Sequence, residues 1–508
     1  MPACSHVPKP YTGKSFDEMS TTRDKHLVPC LKSYYKKPLL ITEGHMQWLF
    51  DQTGRRYLDL FGGIVTVSVG HCHPKVTAAA TAQMNTLWHT TNIYMHPKIH
   101  EYAERLADKM PGDLKVKQTV IRQTSAITYT YPRLAEKGVF HVPVQVVYFV
   151  NSGSEANDLA MLLARLYTKQ FDIISFRNAY HGMSPYVMGI TAHSTWRFDV
   201  PVAQGVHHAM NPDPYQGLWG GKHCRDSPVQ TTRDCACSPD ECEASSKYYE
   251  QLEEVFKYSL PRGKVAGLFA ESIQASRRRG RHGVGGTVQF PKGFLKKAYE
   301  LVRINGGVCI ADEVQTGFGR TGEHFWGFEG HGVRPDIVTM AKGMGNGFPL
   351  AAVVTTPAIA EVLGQALHFN TFGGNPVACA VGLSVLDVIQ EERTQENCKV
   401  VGTYFLQELA KLRDQFACVG DVRGKGLMIG IEMVSDRATK APMNNKHFTD
   451  VWEDCKNMGV LIGRGALNGN VLRIKPPMCI NKEDVDYAVA VLRKALQTHT
   501  DKAKRQAN

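Results

Sequence analysis

Three stretches of the chain join an apolar run to residues that can hold an anion, a proton or a carbonyl carbon. In Val147-Tyr148-Phe149-Val150-Asn151-Ser152-Gly153-Ser154-Glu155-Ala156-Asn157 a strand candidate runs into a Ser-Gly-Ser turn. Ala156, Leu159, Ala160, Leu163 and Tyr167 then fall on one face of a following helix. Ser152 with Glu155 has the form of a capping box, and N–H groups left free at such a helix start can hold a phosphate. In Gly307 to Gly317 the acids Asp312 and Glu313 and the amide Gln315 follow an apolar strand, at the end where open α/β sheets bind ligands. In Val338 to Gly343, Lys342 closes another apolar strand ahead of a Gly-rich turn; desolvation or a neighbouring cation there would free its amine as a nucleophile. Taken singly, each has an ordinary structural explanation: a helix cap, a capping acid pair, a solvated lysine.

These groups need a scaffold, and the pattern around them supplies one. Short continuous apolar runs at Val146 to Val150, Asp172 to Phe176, Gly267 to Glu271, Val308 to Asp312, Asp336 to Met340 and Leu350 to Thr355 alternate with helical patterns. Such runs are what a parallel sheet covered on both faces requires, so the expected class is α/β. Before them, Trp48-Leu49-Phe50 and Tyr57-Leu58-Asp59-Leu60 read as a strand pair closed by the turn Asp51-Gln52-Thr53-Gly54. After about Asn375 come a long helical stretch, strand candidates at Gly424 to Met433 and Val460 to Ile474, and a last helix. That helix has Asn481 as N-cap and Val485, Ala488, Val489, Leu492, Ala495 and Leu496 on one side. The division expected is an N-terminal segment 1–36, without clear periodicity and either disordered or targeting. Residues 37–90 and 381–508 then build a smaller α+β domain, because neither end alone makes a comfortable core, and 91–380 form the large domain.

Composition removes other classes. With 508 residues, 43% hydrophobic and 21% charged, the chain is an ordinary globular one, and no apolar stretch is long enough to span a bilayer. The net charge of +11 could signal nucleic acid, but Arg277, Arg278, Arg279 and Arg281 supply four of those charges in one run, and no nucleic-acid-binding motif accompanies them. Thirteen cysteines, an odd number over a long chain, suit reduced thiols. Cys224, Cys235, Cys237 and Cys242, with His223 alongside, form a local cluster open to zinc, to disulfides or to free thiols; Cys-x-Cys-x4-Cys is not a standard zinc-knuckle spacing, and the expectation is no metal.

A phosphate cradle, a carboxylate and a lysine, each at the C-terminal end of a strand and in this order, are the parts needed to hold pyridoxal phosphate. Asn151 to Asn157, Tyr180-His181-Gly182, Asp312 to Gly322, Ala341-Lys342-Gly343 and Asn370-Thr371-Phe372-Gly373-Gly374-Asn375-Pro376 resemble the motifs of the class III (ω-type) pyridoxal-phosphate aminotransferases, over about Pro38 to His499. Gly63 to Lys75, Cys224 to Gln230 and Val422 to Met428 place the resemblance nearest the mitochondrial alanine–glyoxylate branch, in which the cysteine loop recurs without an implied metal. The resemblance implies the fold-type I architecture, a large domain with a mostly parallel central sheet plus a smaller domain from both termini. It implies that Lys342 joins the cofactor and shuttles the substrate proton, and that Asp312 keeps the cofactor's pyridine nitrogen protonated. Gly153 and Ser154 would cradle the phosphate, Tyr180 would stack on the ring, and Gln315 would lie near its phenolic oxygen. Thr371 would reach the phosphate of a neighbouring subunit, making the protein a homodimer or homotetramer, and Arg473 would take the substrate carboxylate. The activity implied is transfer of an amino group from alanine or a β-amino acid of the 3-aminoisobutyrate type to glyoxylate or pyruvate. A pyridoxal-phosphate lyase acting on a phosphorylated amino alcohol uses the same scaffold and stands as the alternative, together with a product impaired by its insertions. Mitochondrial location is implied by the branch; residues 1–16 carry Lys9 and Lys14 but no arginine and no visible amphipathic helix, so no transit peptide is evident.

Two segments depart from the family pattern. Residues 116–145 have no counterpart, and after Glu271-Ser272-Ile273-Gln274, where the family has Glu-Pro-Ile-Gln, residues 275–286 carry the arginine run. Each is either a surface loop, whose closure cost rises slowly with length, or a translated intron in a gene model, a choice that the transcript sequence decides.

Overall fold

The computed structural model describes residues 1–508 except Lys32, Tyr34, 112–144, 202–203, 239–241, 275–285, Leu467 and Asn508. The two departing segments, 116–145 and 275–286, therefore lie outside the described residues save for Gln145 and Gly286.

In chain order the strands are β1 (Ile41–His45), β2 (Trp48–Asp51), β3 (Arg56–Asp59), β4 (Val146–Val150), β5 (Ile173–Phe176), β6 (Val206–Ala209), β7 (Gly267–Glu271), β8 (Ile273–Gln274) and β9 (Val288–Gln289). They continue with β10 (Val308–Asp312), β11 (Ile337–Met340), β12 (Ala351–Thr355), β13 (Val419–Lys425), β14 (Met428–Asp436), β15 (Ala441–Pro442), β16 (Val460–Leu461), β17 (Gly463–Gly465) and β18 (Val471–Ile474). The central sheet has seven strands in the order β4-β12-β11-β10-β7-β5-β6. All run the same way except β12, which is antiparallel to both its neighbours. The reversal follows from chain length: only residues 341–350 separate β11 from β12, fewer than a parallel crossover of about a dozen residues needs. The expected strand at Leu350 to Thr355 is thus present but breaks the parallel pattern.

Every residue of β5, β7, β10, β11 and β12 is buried, as their unbroken apolar sequences require. The helix Gly153–Thr168 covers the sheet with Ala156, Leu159, Ala160 and Leu163. Tyr167, expected on that apolar face, lies in the helix's last turn and is 43% exposed.

The two ends of the chain meet in a second sheet, β1-β2-β3-β16, where β3 and β16 pair in parallel through Leu58–Val460 and Asp59–Leu461. A third sheet runs β13-β14-β18-β17. The single strand expected at Gly424 to Met433 is the tail of β13 and most of β14, a hairpin turning at Gly426 and Leu427; glycine-rich alternation hid the turn within an apolar run. Val460 to Ile474 is likewise three strands. The helix Lys482–Ala507 buries Val485, Ala488, Val489, Leu492, Ala495 and Leu496. Asn481 Oδ1 accepts from the Asp484 amide at 2.9 Å, and Asp484 Oδ2 accepts from the Asn481 amide at 3.0 Å. At the other end, Phe16–His26 is a helix capped by Ser15 and Glu18 that buries no residue, so it carries no apolar period to read.

Candidate active site

The register of the central sheet brings the reactive candidates to one edge. Asp312, last in β10, is paired with Glu271, last in β7, and with Thr339 of β11, three residues before Lys342. In β4, Val150 pairs with Ala351 of β12, next to the Ala352 that pairs with Met340, so the Ser-Gly-Ser turn emerges at the same edge.

Asp312 is 4% exposed. Its Oδ2 accepts from His181 Nδ1 at 2.7 Å and from Asn157 Nδ2 at 2.9 Å, and its Oδ1 accepts from the Val314 amide at 3.1 Å. Asn157 Nδ2 also donates to the His181 carbonyl at 2.7 Å, tying the two supports together. The carboxylate is therefore fixed in rotation, with lone-pair capacity remaining on Oδ1. Asn157 and His181 lie within the sequence motifs, which assign them no role of their own. Asn157 was findable as an amide inside an apolar helix face between Ala156 and Ala160.

Lys342 follows β11 with a left-handed backbone, φ 51°, a conformation rare for a side-chain-bearing residue and concentrated at functional sites. Burial lowers its amine from the ordinary lysine range to about 8; Arg473 pushes the same way, while Asp312 and Glu271 oppose.

At the Ser-Gly-Ser turn, Ser152 Oγ accepts from the Glu155 amide at 3.2 Å and caps the helix. The expected reciprocal box differs: Glu155 Oε2 takes the Ser152 hydroxyl at 2.8 Å and the Asn151 amide at 3.1 Å, because Asn151 and Asn370 also draw on this carboxylate. Burial raises the Glu155 carboxyl, but these hydrogen bonds outweigh it and hold it below its usual value. A Cβ on Gly153 would sit 3.1 Å from Val314, so glycine lets the helix start abut the loop after Asp312. Gly182 has φ 137°, and a Cβ there would come within 2.6 Å of Ser154 Oγ, which accepts from the Met183 amide at 3.2 Å.

Tyr180 is half-buried, donates its amide to Glu271 Oε1 at 3.3 Å and meets Trp196 edge-on with ring centroids 5.4 Å apart. Gln315 Oε1 accepts from Lys475 Nζ at 3.0 Å and from Arg473 Nη2 at 3.3 Å, which leaves its NH2 as the end free to donate. Arg473, 1% exposed, thus enters from β18 of the third sheet to meet a residue of the loop that follows β10. Lys475, to which the sequence motifs also assign no role, is pushed well down by burial and by Arg473 and Lys342. Thr371 stands apart from this buried group, exposed on a loop tied back through Asn370, whose Oδ1 accepts from Asn151 at 2.9 Å.

Ser272, where the family has proline, donates its hydroxyl to Glu313. Glu313 also accepts from Thr316 and from the amides of Gly327 and Phe328 and is wholly enclosed. It is a brace for the loop beside the site, and the substitution adds a hydrogen bond that proline cannot make.

The residues fit pyridoxal phosphate on their own chemistry: a buried amine held near neutrality, an oriented carboxylate acceptor, and a capped 16-residue helix whose first residues carry no obstructing side chain. A neutral amine attacks an aldehyde and a protonated one does not. Covalent capture of pyridoxal phosphate by the cofactor-free protein, trapped with borohydride, is therefore expected to rise with pH through about 8. An unperturbed lysine would put that midpoint at ~10.4, and Lys342→Ala should remove the adduct mapped to position 342 and its midpoint at about 8.

The family model described as aminotransferase class-III matches residues 31–126 and 115–496. The chain is 53% identical over 503 residues to alanine–glyoxylate aminotransferase 2, mitochondrial, of Homo sapiens, covering 99% of this chain and 90% of that protein. Among solved structures it is similar to an (S)-enantioselective omega-transaminase from Thermomicrobium roseum, with TM-score 0.78, 29% identity and coverage of 96% and 100%. It is also similar to a phospholyase from Arthrobacter in complex with phosphoethanolamine, with TM-score 0.78, 28% identity and coverage of 94% and 99%.

Proposed function

The chain belongs to the class-III aminotransferases, enzymes that depend on pyridoxal phosphate, and from that premise we propose that it moves an amino group from alanine or a β-amino acid to glyoxylate or pyruvate. The observation that carries this reading is the convergence of Lys342, Asp312 and Arg473 from three strands, together with a relative named for alanine and glyoxylate at 53% identity.

When bound, pyridoxal phosphate supplies an aldehyde for the amino group and a ring that withdraws electrons from the carbon losing its proton. Lys342 Nζ, held near neutrality, takes that proton and returns it as general base and acid. Asp312, its carboxylate aimed by His181 and Asn157, would keep a proton at the ring nitrogen. The amides of Gly153 and Ser154 would hold the phosphate, Tyr180 would cover the ring, and Gln315, whose NH2 is the end left to donate, would meet the phenolic oxygen. Arg473 binds the substrate carboxylate through its planar fork, so Arg473→Lys should raise KM for both acids by roughly 10- to 100-fold while Lys342→Ala loses turnover. Incubation with alanine and glyoxylate should yield pyruvate. Phosphate release from phosphoethanolamine without pyruvate would instead establish the lyase.

Residues 37–90 with 381–508 form one domain and 91–380 the other, a division supported by the β3–β16 pairing. The protein works in mitochondria, as the name of its human relative suggests, and as a homodimer or homotetramer. Support for assembly comes from an apolar surface around Thr371: Leu367, Phe369 and Phe372 are exposed beside Trp88, Ile93 and Met95, and Phe372 meets His89 at 5.6 Å. A second copy covering that surface would receive Thr371 at its phosphate. Sedimentation should show a dimer or larger species, with Phe372→Asp shifting it toward inactive monomer; a fully active wild-type monomer would contradict this.

A further inference from the structure

Residues 210–242, between β6 and the helix Glu243–Tyr258, form a long connection without regular structure among its described residues. Loops of that length inside a compact domain are uncommon unless something holds them. What this loop carries is central to the fold. Arg225, 1% exposed, donates to Asp421 of β13 at 2.7 and 3.0 Å and to the Val422 and Val229 carbonyls at 2.7 and 3.1 Å. Its neighbour Cys224 is wholly buried, and the Cys224 carbonyl accepts from the Lys292 amide at 2.8 Å.

The sulfurs of the loop are gathered around Cys224. Its Sγ lies 3.5 Å from Cys237 Sγ and 3.8 Å from Cys235 Sγ, and the sulfurs of Cys224, Cys237 and Cys242 are all within 4.8 Å of one another. A disulfide needs about 2.05 Å between sulfurs, and all thirteen cysteines are free. Four thiolates at about 2.3 Å from a tetrahedral zinc ion stand about 3.8 Å apart along each edge of the tetrahedron. The sequence shows the cluster but not a standard zinc-knuckle spacing, so the expectation from spacing is no metal; the folded loop adds the sulfur–sulfur distances.

We infer that Cys224, Cys235, Cys237 and Cys242 form a structural Zn2+ site that staples this loop on itself at the start of the helix Glu243–Tyr258. Binding releases the thiol protons to solvent and leaves four thiolate ligands. Cys235 Sγ, which donates to the Lys222 carbonyl at 2.8 Å in the thiol form, turns from that acceptor to the metal. Cys242 is the N-cap residue of the helix Glu243–Tyr258, so its sulfur sits at the end of the helix that carries partial positive charge, where a thiolate is favoured. With four protein ligands and no open position, the ion holds structure and performs no catalysis. The site shares no residue with the Lys342 chamber.

Protein expressed with added zinc and passed over a chelating column should retain about one zinc per chain, with X-ray absorption showing four sulfurs at about 2.3 Å. The double variant Cys235→Ser with Cys237→Ser should lose the zinc and melt at lower temperature. Absence of zinc with thirteen thiols titrating in denaturant would overturn the site in favour of free thiols. Absence with two or four thiols missing and a matching mass loss would replace it with disulfides. Zinc bound through nitrogen or oxygen, or kept by the double variant, would identify an adventitious ion only. The spectrum of the wild-type protein decides the question even if the variant does not fold.

Discussion

The structure is organised around a lysine amine that must be both buried and reactive. Removing Lys342 from water costs its charge, which brings the amine to about 8, and a chain accepts such a cost only where the surroundings hold the side chain in place. Here β10 and β11 run in parallel register, so that Asp312 and Lys342 close adjacent strands, and Asp312 offsets part of the desolvation. The carboxylate in turn needs fixing, which His181 and Asn157 provide from a loop and from the helix Gly153–Thr168. That helix brings the Ser-Gly-Ser turn to the same edge. One constraint thus links strand order, helix placement and the left-handed turn at Lys342.

The second requirement is closure of the chamber by the chain's distant ends. Arg473 and Lys475 reach Gln315 from β18, while Lys475 donates its amide to the Leu60 carbonyl at 2.7 Å, joining N-terminal and C-terminal residues at the same point. Their relative position depends on a buried charge network in which Asp421 binds Arg225 and Arg423, and Arg423 also binds Glu432 at 2.7 Å. Buried pairs of this kind add little net stability, because desolvation consumes the Coulomb gain, but breaking one leaves an uncompensated charge. The network acts as a register between the cysteine loop and the third sheet, and a zinc staple beside Arg225 would restrict the loop that supplies its central guanidinium.

Much of this was legible in the sequence where burial imposes a simple pattern. Continuous apolar runs marked β5, β7, β10 and β11, and Lys342, Asp312, Gly153, Ser154, Gln315 and Arg473 all lie where those runs and the two sheets converge. What stayed hidden depends on partners remote in sequence. His181 and Asn157 acquire meaning only through Asp312, more than a hundred positions away; Lys475 needs Gln315; and the cysteine cluster, visible in the sequence, gains its sulfur–sulfur distances only from the loop's folded path. The reversal of β12 follows from a short connection that apolarity does not register, and Phe16–His26 has no buried face to reveal it.

If Asp312 serves the ring nitrogen and Lys342 the aldehyde, proton removal and cofactor capture are separable. Single-turnover reaction of cofactor-loaded Asp312→Asn with alanine, beside borohydride trapping at Lys342, tests it most directly. Loss of ring protonation should slow proton removal by roughly 100-fold or more while the Lys342 adduct still forms, in line with the loss of one charge-stabilising group. A variant that reacts within a few-fold of wild type would contradict the account.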